Sequence, residues 1–122
     1  MRILVVDDIG AVRSFLGLML QSSGYEVVFA EDGMVAKIRL EQDRGVDLVL
    51  TDTQMPGVDG LELVSWIKEF RPHLPVIINT GSVEADLLRE IANSGADRWL
   101  QKPFSMTSLL DTIKQLLAPA KT

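Results

Sequence analysis

With 122 residues, the chain has the length of one domain, and folding can bury roughly two thirds of the surface its unfolded form exposes, enough for a real core. A hydrophobic fraction of 47% beside 24% charged residues excludes the disordered and fibrous classes. The net charge of −5, with no basic stripe, disfavours non-specific binding to nucleic acid or anionic lipid, and the absence of cysteine removes disulfides, thiolate metal sites and thiol nucleophiles.

The first oily run, residues 3–6 (ILVV), reads as a strand and runs straight into Asp7-Asp8. The opening MRILVVDD has neither a long apolar region nor a small-residue cleavage site, and no apolar run approaches the ~18 residues that span a bilayer. A cytoplasmic protein without a membrane partner is expected, and the lack of cysteine is consistent with a reducing compartment. Val12, Phe15, Leu16, Met19 and Leu20 recur at helical spacing, which predicts a first helix over about 12–23 with Gly24 as its left-handed stop. Glu26–Ala30 is the second strand candidate, and Asp32-Gly33 caps a weaker helical pattern over 34–42. The third strand, 48–51, ends on Asp52.

Met55-Pro56-Gly57-Val58-Asp59-Gly60 reads as a turn whose last two residues cap a third helix over 61–70, where Trp66 is expected to pack with Leu63, Ile67 and Phe70. His73 lies in the loop Arg71-Pro72-His73-Leu74-Pro75 with no acid or second histidine at ligand spacing, so it reads as a loop residue. A fourth strand, 76–79, ends in Asn79-Thr80-Gly81. Ser82 is the expected cap of a fourth helix that places Leu87, Leu88 and Ile91 on one face and stops at Gly95. The fifth strand, Arg98–Gln101, leads into Lys102-Pro103-Phe104. From near Ser105 a last helix repeats Met106, Leu109, Leu110, Ile113, Leu116 and Leu117, with Pro119 marking its end.

Five strands alternating with five helices, with unusually apolar strands one, three and four, predict an α/β doubly wound domain: a mainly parallel sheet with helices on both faces. In such sheets ligands bind beyond the carboxyl ends of the strands where strand order reverses. For the flavodoxin-like order 2-1-3-4-5 that point lies between strands one and three, so Asp7, Asp8 and Asp52 are expected to converge in one pocket. Two carboxylates ~4 Å apart repel by roughly 4 kcal/mol at an effective dielectric near 20, so three together require a cation. Hard oxygen ligands, no cysteine and a single histidine favour Mg²⁺ over zinc or copper. Thr80 and Lys102 end the neighbouring strands on the same edge, and acids, hydroxyl and ammonium together suit phosphoryl transfer with Asp52 as nucleophile.

Taken singly, these residues have plainer readings: Asp7-Asp8 as a helix cap, Thr80 as a turn residue, Lys102 as a solvated lysine. Together they form a motif set. Asp7-Asp8 after strand one, Asp52 followed by Met55-Pro56-Gly57 and Asp59-Gly60, Thr80 with a small residue behind it, Gly95-Ala96-Asp97, and Lys102-Pro103-Phe104 resemble the response-regulator receiver domains of two-component signalling. The likeness, of the chemotaxis-regulator type, covers essentially the whole chain as a single receiver domain, residues 1–122.

The resemblance implies that Asp52 accepts a phosphoryl group from a sensor histidine kinase or a phosphotransfer protein. It further implies that Asp8, Asp52 and the main-chain carbonyl of Gln54 bind Mg²⁺, with Asp7 assisting largely through water. Lys102 is expected to pair with the phosphoryl oxygens, Thr80 to turn inward to one of them, and the Lys102-Pro103 peptide to be cis. The implied product is a changed surface read by a downstream protein or a fused output domain, with no direct nucleic-acid contact by this domain. Self-catalysed phosphotransfer and autodephosphorylation make it a switch before an enzyme.

Three features depart from the pattern. Ile9-Gly10 stands where relatives place an acidic or polar residue and then proline, leaving the first helix less well capped. Trp99, three before the lysine, replaces the usual tyrosine, phenylalanine or histidine of the switch position and is harder to rotate inward. Arg98 replaces an acid of the charged dimer used by winged-helix regulators, so that dimer is not expected. Other functions fit less well. A Mg²⁺-dependent phosphohydrolase of the haloacid dehalogenase type needs an acid where Gln54 stands, and Asp7-Asp8 would repel the phosphate of FMN. A receiver that binds partners without phosphorylation would lack an acid, the threonine or the lysine, and all are present.

Overall fold

The computed structural model describes residues 1–55 and 57–118. Pro56 of the turn motif and the helix stop at Pro119 lie outside the described residues. The elements alternate strictly: β1 (Arg2–Val6), α1 (Gly10–Ser22), β2 (Glu26–Ala30), α2 (Gly33–Gln42), β3 (Leu48–Asp52), α3 (Gly60–Phe70), β4 (Val76–Thr80), α4 (Ala85–Ala92), β5 (Arg98–Gln101) and α5 (Met106–Leu117). All strand pairs are parallel, in the order β2-β1-β3-β4-β5.

β1, β3 and β4 are buried along nearly their whole length, β1 after its first residue, because they are covered on both faces. Side chains alternate across a strand, so Leu4, Val6, Val49, Val76 and Ile78 enter one core, together with Ala36 and Leu40 of α2, Leu63, Val64 and Ile67 of α3 and Ile91 of α4. Ile3, Val5, Leu48, Leu50 and Ile77 enter the other, against Leu16 and Leu20 of α1 and Leu109 and Ile113 of α5. The doubly wound arrangement expected from the alternation of patterns is therefore the observed one. Among the described residues no helix is long and apolar enough to cross a membrane.

Local chemistry explains most of the boundaries. Asp32, Asp59 and Ser105 each accept a backbone N–H three residues on, from Val35, Glu62 and Ser108, and so cap α2, α3 and α5. Several ends differ from expectation. Helix α1 begins at Gly10, two residues early, with Ile9 as a cap that makes no side-chain bond. Its entry turn is tied instead by Asp7, whose Oδ1 accepts the Ile9 N–H at 2.9 Å, and by the Arg13 guanidinium, which donates to the Asp7 carbonyl at 2.7 Å.

Ser82 does not cap α4. Its hydroxyl accepts the Glu84 N–H two residues on, closing a turn, and the helix starts only at Ala85. The same helix ends at Ala92, before Gly95, because Ser94 already donates through its main chain and its hydroxyl to the Ile91 carbonyl. Gly95, at φ 95°, then takes the left-handed turn toward β5. β3 and β4 each run one residue further than expected, so Asp52 and Thr80 are themselves strand residues.

Candidate functional site

The C-terminal ends of β1 and β3 lie side by side, with Val6 opposite Thr51 in the register, so the residues that follow emerge together. One carboxylate oxygen from each of Asp7, Asp8 and Asp52 lies within 4.8 Å of the others. Asp7 and Asp52 are buried and Asp8 is exposed. The expected convergence of the three acids is thus the observed arrangement.

The two buried carboxylates are satisfied unequally. Asp52 Oδ1 accepts the Thr53 N–H at 2.8 Å, and Oδ2 faces Lys102 Nζ at 3.4 Å. Asp7 Oδ2 is buried without a hydrogen-bond partner among the described residues, and Lys102 Nζ stands 3.9 Å from it, an ion-pair distance too long for a hydrogen bond. Burial pushes the Asp7 carboxyl above the ordinary carboxylate range. The Ile9 N–H works against this, as does Lys102, while the charges of Asp52 and Asp8 reinforce it.

Lys102 directly follows β5; its peptide bond to Pro103 is cis, as expected, and its own N–H bonds the Thr80 carbonyl at 2.7 Å. Thr80 is buried on the inner rim, and its hydroxyl oxygen accepts the Ser82 N–H at 3.1 Å. Gln54 is exposed at the edge of an open cavity of about 550 Å³ that Asp8, Thr53, Met55 and Asp59 also line. Trp99 is not part of the acid pocket. It lies on β5 opposite Ile78 and is 39% exposed.

Near the acids, Thr53 and Asn79 carry no signal in the motif set, and Gly60 was read there only as part of a turn and helix cap. Thr53 is buried, and its hydroxyl sits 3.3 Å from that of Thr80. Gly60 lies so close to the end of β3 that a Cβ there would run into the Asp52 carbonyl and meet Thr53 Cα at 2.8 Å. Asn79, opposite Asp52 in the register, buries an amide oxygen with no partner among the described residues. A single polar residue at the end of an apolar run was the only available hint for Asn79.

Residues 3–114 match the family described as the response regulator receiver domain. The chain belongs to that family. This receiver domain is 39% identical over 121 residues to response regulator MprA of Mycobacterium avium (strain 104), a match covering 99% of this chain and 53% of that protein. The chain therefore spans about half the length of the curated relatives it matches. Among solved structures, the receiver is similar to chemotaxis protein CheY4 of Vibrio cholerae, with a TM-score of 0.86 and 31% identity over 95% of this chain and 98% of that one. It is likewise similar to response regulator protein TrrA of Thermotoga maritima, solved in complex with Mg²⁺-BeF, with a TM-score of 0.86 and 34% identity over 95% and 98% of the two chains. In a receiver domain of two-component response regulators, the pocket of Asp7, Asp8 and Asp52 is compatible with phosphorylation.

Proposed function

We propose that this receiver domain is a Mg²⁺-dependent switch that accepts a phosphoryl group on Asp52 from a sensor histidine kinase or phosphotransfer protein. Phosphorylation then alters a surface read by a downstream protein or an attached output domain. The observation that carries the reading is the meeting of Asp52 with Lys102 at 3.4 Å inside a cluster of two further acids.

The donor set fits a hard divalent cation. All three clustered ligands are carboxylate oxygens, and the buried Asp7 Oδ2 still lacks a partner among the described residues. Asp8, Asp52 and the main-chain carbonyl of Gln54 would hold Mg²⁺, with Asp7 acting through water. When bound, the ion supplies charge neutralisation for the phosphoryl oxygens.

In the transfer, a carboxylate oxygen of Asp52 forms a bond to phosphorus as the bond from phosphorus to the donor histidine nitrogen breaks, and that electron pair leaves with the imidazole. Thr53 N–H fixes the plane of the attacking carboxylate. Lys102 offsets the charge on the phosphoryl oxygens, and the Thr80 hydroxyl donates to one of them once the group is in place. The partner surface includes Trp99 and the exposed Val83. Beside the acid rim, an apolar groove of about 500 Å³ between α1 and the Pro103-Phe104 segment offers a seat for the phosphodonor protein.

Incubation with acetyl phosphate and Mg²⁺ should add one hydroxylamine-labile phosphoryl group by intact-mass spectrometry, and EDTA should prevent it. Absence of any mass gain with Mg²⁺ present would overturn the reading. Because the ion binds the folded state, Mg²⁺ alone at tenfold its dissociation constant should add about 1.4 kcal/mol of stability, a rise of roughly 5 °C in Tm. Asp8→Ala should lose that rise. A parent protein whose Tm ignores Mg²⁺ across the millimolar range would argue against the metal site.

A further inference from the structure

Thr53 touches both ends of the proposed switch. Its N–H donates to Asp52 Oδ1 at 2.8 Å, and its hydroxyl lies 3.3 Å from Thr80 Oγ1, placed to donate to it. Thr80 Oγ1 accepts the Ser82 N–H as well, so it is held from two sides. Both threonines are shielded from water, Thr53 at 4% and Thr80 at 1% exposure.

We propose that Thr53 is a positioning residue that latches the Thr80 hydroxyl in the unphosphorylated arrangement and sets how completely a phosphoryl group on Asp52 recruits it. The inference rests on the phosphoacceptor reading of Asp52. The oxygen separation of 3.3 Å is long for a hydroxyl pair, which usually settles near 2.7–2.8 Å, so the contact is weak enough to be exchanged for a charged acceptor. Breaking it has a cost. When Thr80 turns to a phosphoryl oxygen, the Thr53 hydroxyl loses this partner in a site closed to solvent, and a buried unpaired hydroxyl opposes the switched state.

Phosphorylation also acts on Thr53 from the other end. Conversion of the Asp52 carboxylate to an acyl phosphate removes the ionised acceptor of the Thr53 N–H, replacing a charge-assisted bond by a weaker one. One residue therefore senses the modification through its main chain and restrains the responding hydroxyl through its side chain. Valine at this position keeps the branched shape and removes the restraint. The equilibrium between the two Thr80 arrangements should then move toward the switched one by roughly threefold.

The test uses the whole chain in a Trp66→Phe background, so that emission reports Trp99 alone. Parent, Thr53→Val, Thr53→Ala and Thr53→Ser are each treated with Mg²⁺ and acetyl phosphate, and the phosphorylated fraction is read by intact mass. At equal phosphorylated fraction, both variants lacking the hydroxyl should show a larger Trp99 response than the parent, with resting emission already displaced toward the phosphorylated value. Thr53→Ser, which restores the donor, should match the parent. Phosphorylated proteins with indistinguishable Trp99 emission overturn the latch alone, as does a serine variant that shifts as far as valine. A parent that gains no mass overturns the phosphoacceptor reading and the latch with it.

Discussion

Asp52→Asn is expected to take up no phosphoryl group from acetyl phosphate and Mg²⁺ under conditions that modify the parent fully. The amide keeps the shape of the carboxylate, and its oxygen can still accept the Thr53 N–H, so the β3 end should stay folded. What it lacks is the anionic oxygen that forms the bond to phosphorus. Lys102→Ala should instead keep the acceptor and slow its modification by about a hundredfold, the usual scale for deleting one preorganised positive or hydrogen-bonding group from such a site. In the parent, Lys102 is the cation that faces both Asp52 at 3.4 Å and Asp7 at 3.9 Å. Peptide mapping after borohydride trapping locates the acceptor. Modification of Asp52→Asn at another aspartate, with the parent's rate, would move the site away from Asp52.

Gly60→Ala is expected to lower stability by about 3 kcal/mol, which a urea titration reads as a fall of roughly 2 M in the midpoint. The reason is spatial. Gly60 donates its N–H to the Thr53 carbonyl at 3.0 Å, which draws the start of α3 onto the end of β3, and the added methyl would run into the Asp52 carbonyl, a backbone atom with no rotamer to yield. Any shift that makes room also moves Asp52, so phosphoryl uptake should fall with stability. Gly24→Ala is the natural comparison. Gly24 has φ 93°, and a methyl added there would meet nothing within 4 Å, so only the left-handed backbone penalises the change, by about 1 kcal/mol. Equal losses at the two positions would show that α3 can slide away from β3 without cost.

Much of this architecture is written locally. Alternating apolar strands and amphipathic helices at the right spacing force a parallel sheet covered on both faces, because only that arrangement buries β1, β3 and β4 on two sides. The caps at Asp32, Asp59 and Ser105 are likewise legible, since each bonds an N–H only three residues away. The acid pocket follows from the same reasoning plus one topological rule, that ligands gather beyond the strand ends where the order reverses.

At two helix starts, short-range competition decided the outcome against the simplest expectation. Ser82 has the chemistry of a helix cap, but its hydroxyl bonds the Glu84 N–H in a turn, and α4 waits until Ala85. The opening of α1 lacks a capping side chain, as Ile9-Gly10 implies, yet the helix begins earlier because Asp7 and Arg13 tie its entry turn.

The order of elements, the two-sided core and the identity of the clustered acids can all be read along the chain, since each depends on periodicity or on a residue type at a strand end. Three features belong to the folded molecule alone: Asp7 keeps one buried oxygen without a partner among the described residues, Gly60 is pressed against the Asp52 carbonyl, and the Thr53 hydroxyl reaches Thr80. The threonine contact joins atoms 27 residues apart that meet only when β3 and β4 lie side by side, and the other two likewise depend on how β1, β3 and α3 come together. No local pattern encodes such a distance, because it is set by the packing of the whole sheet and its helices.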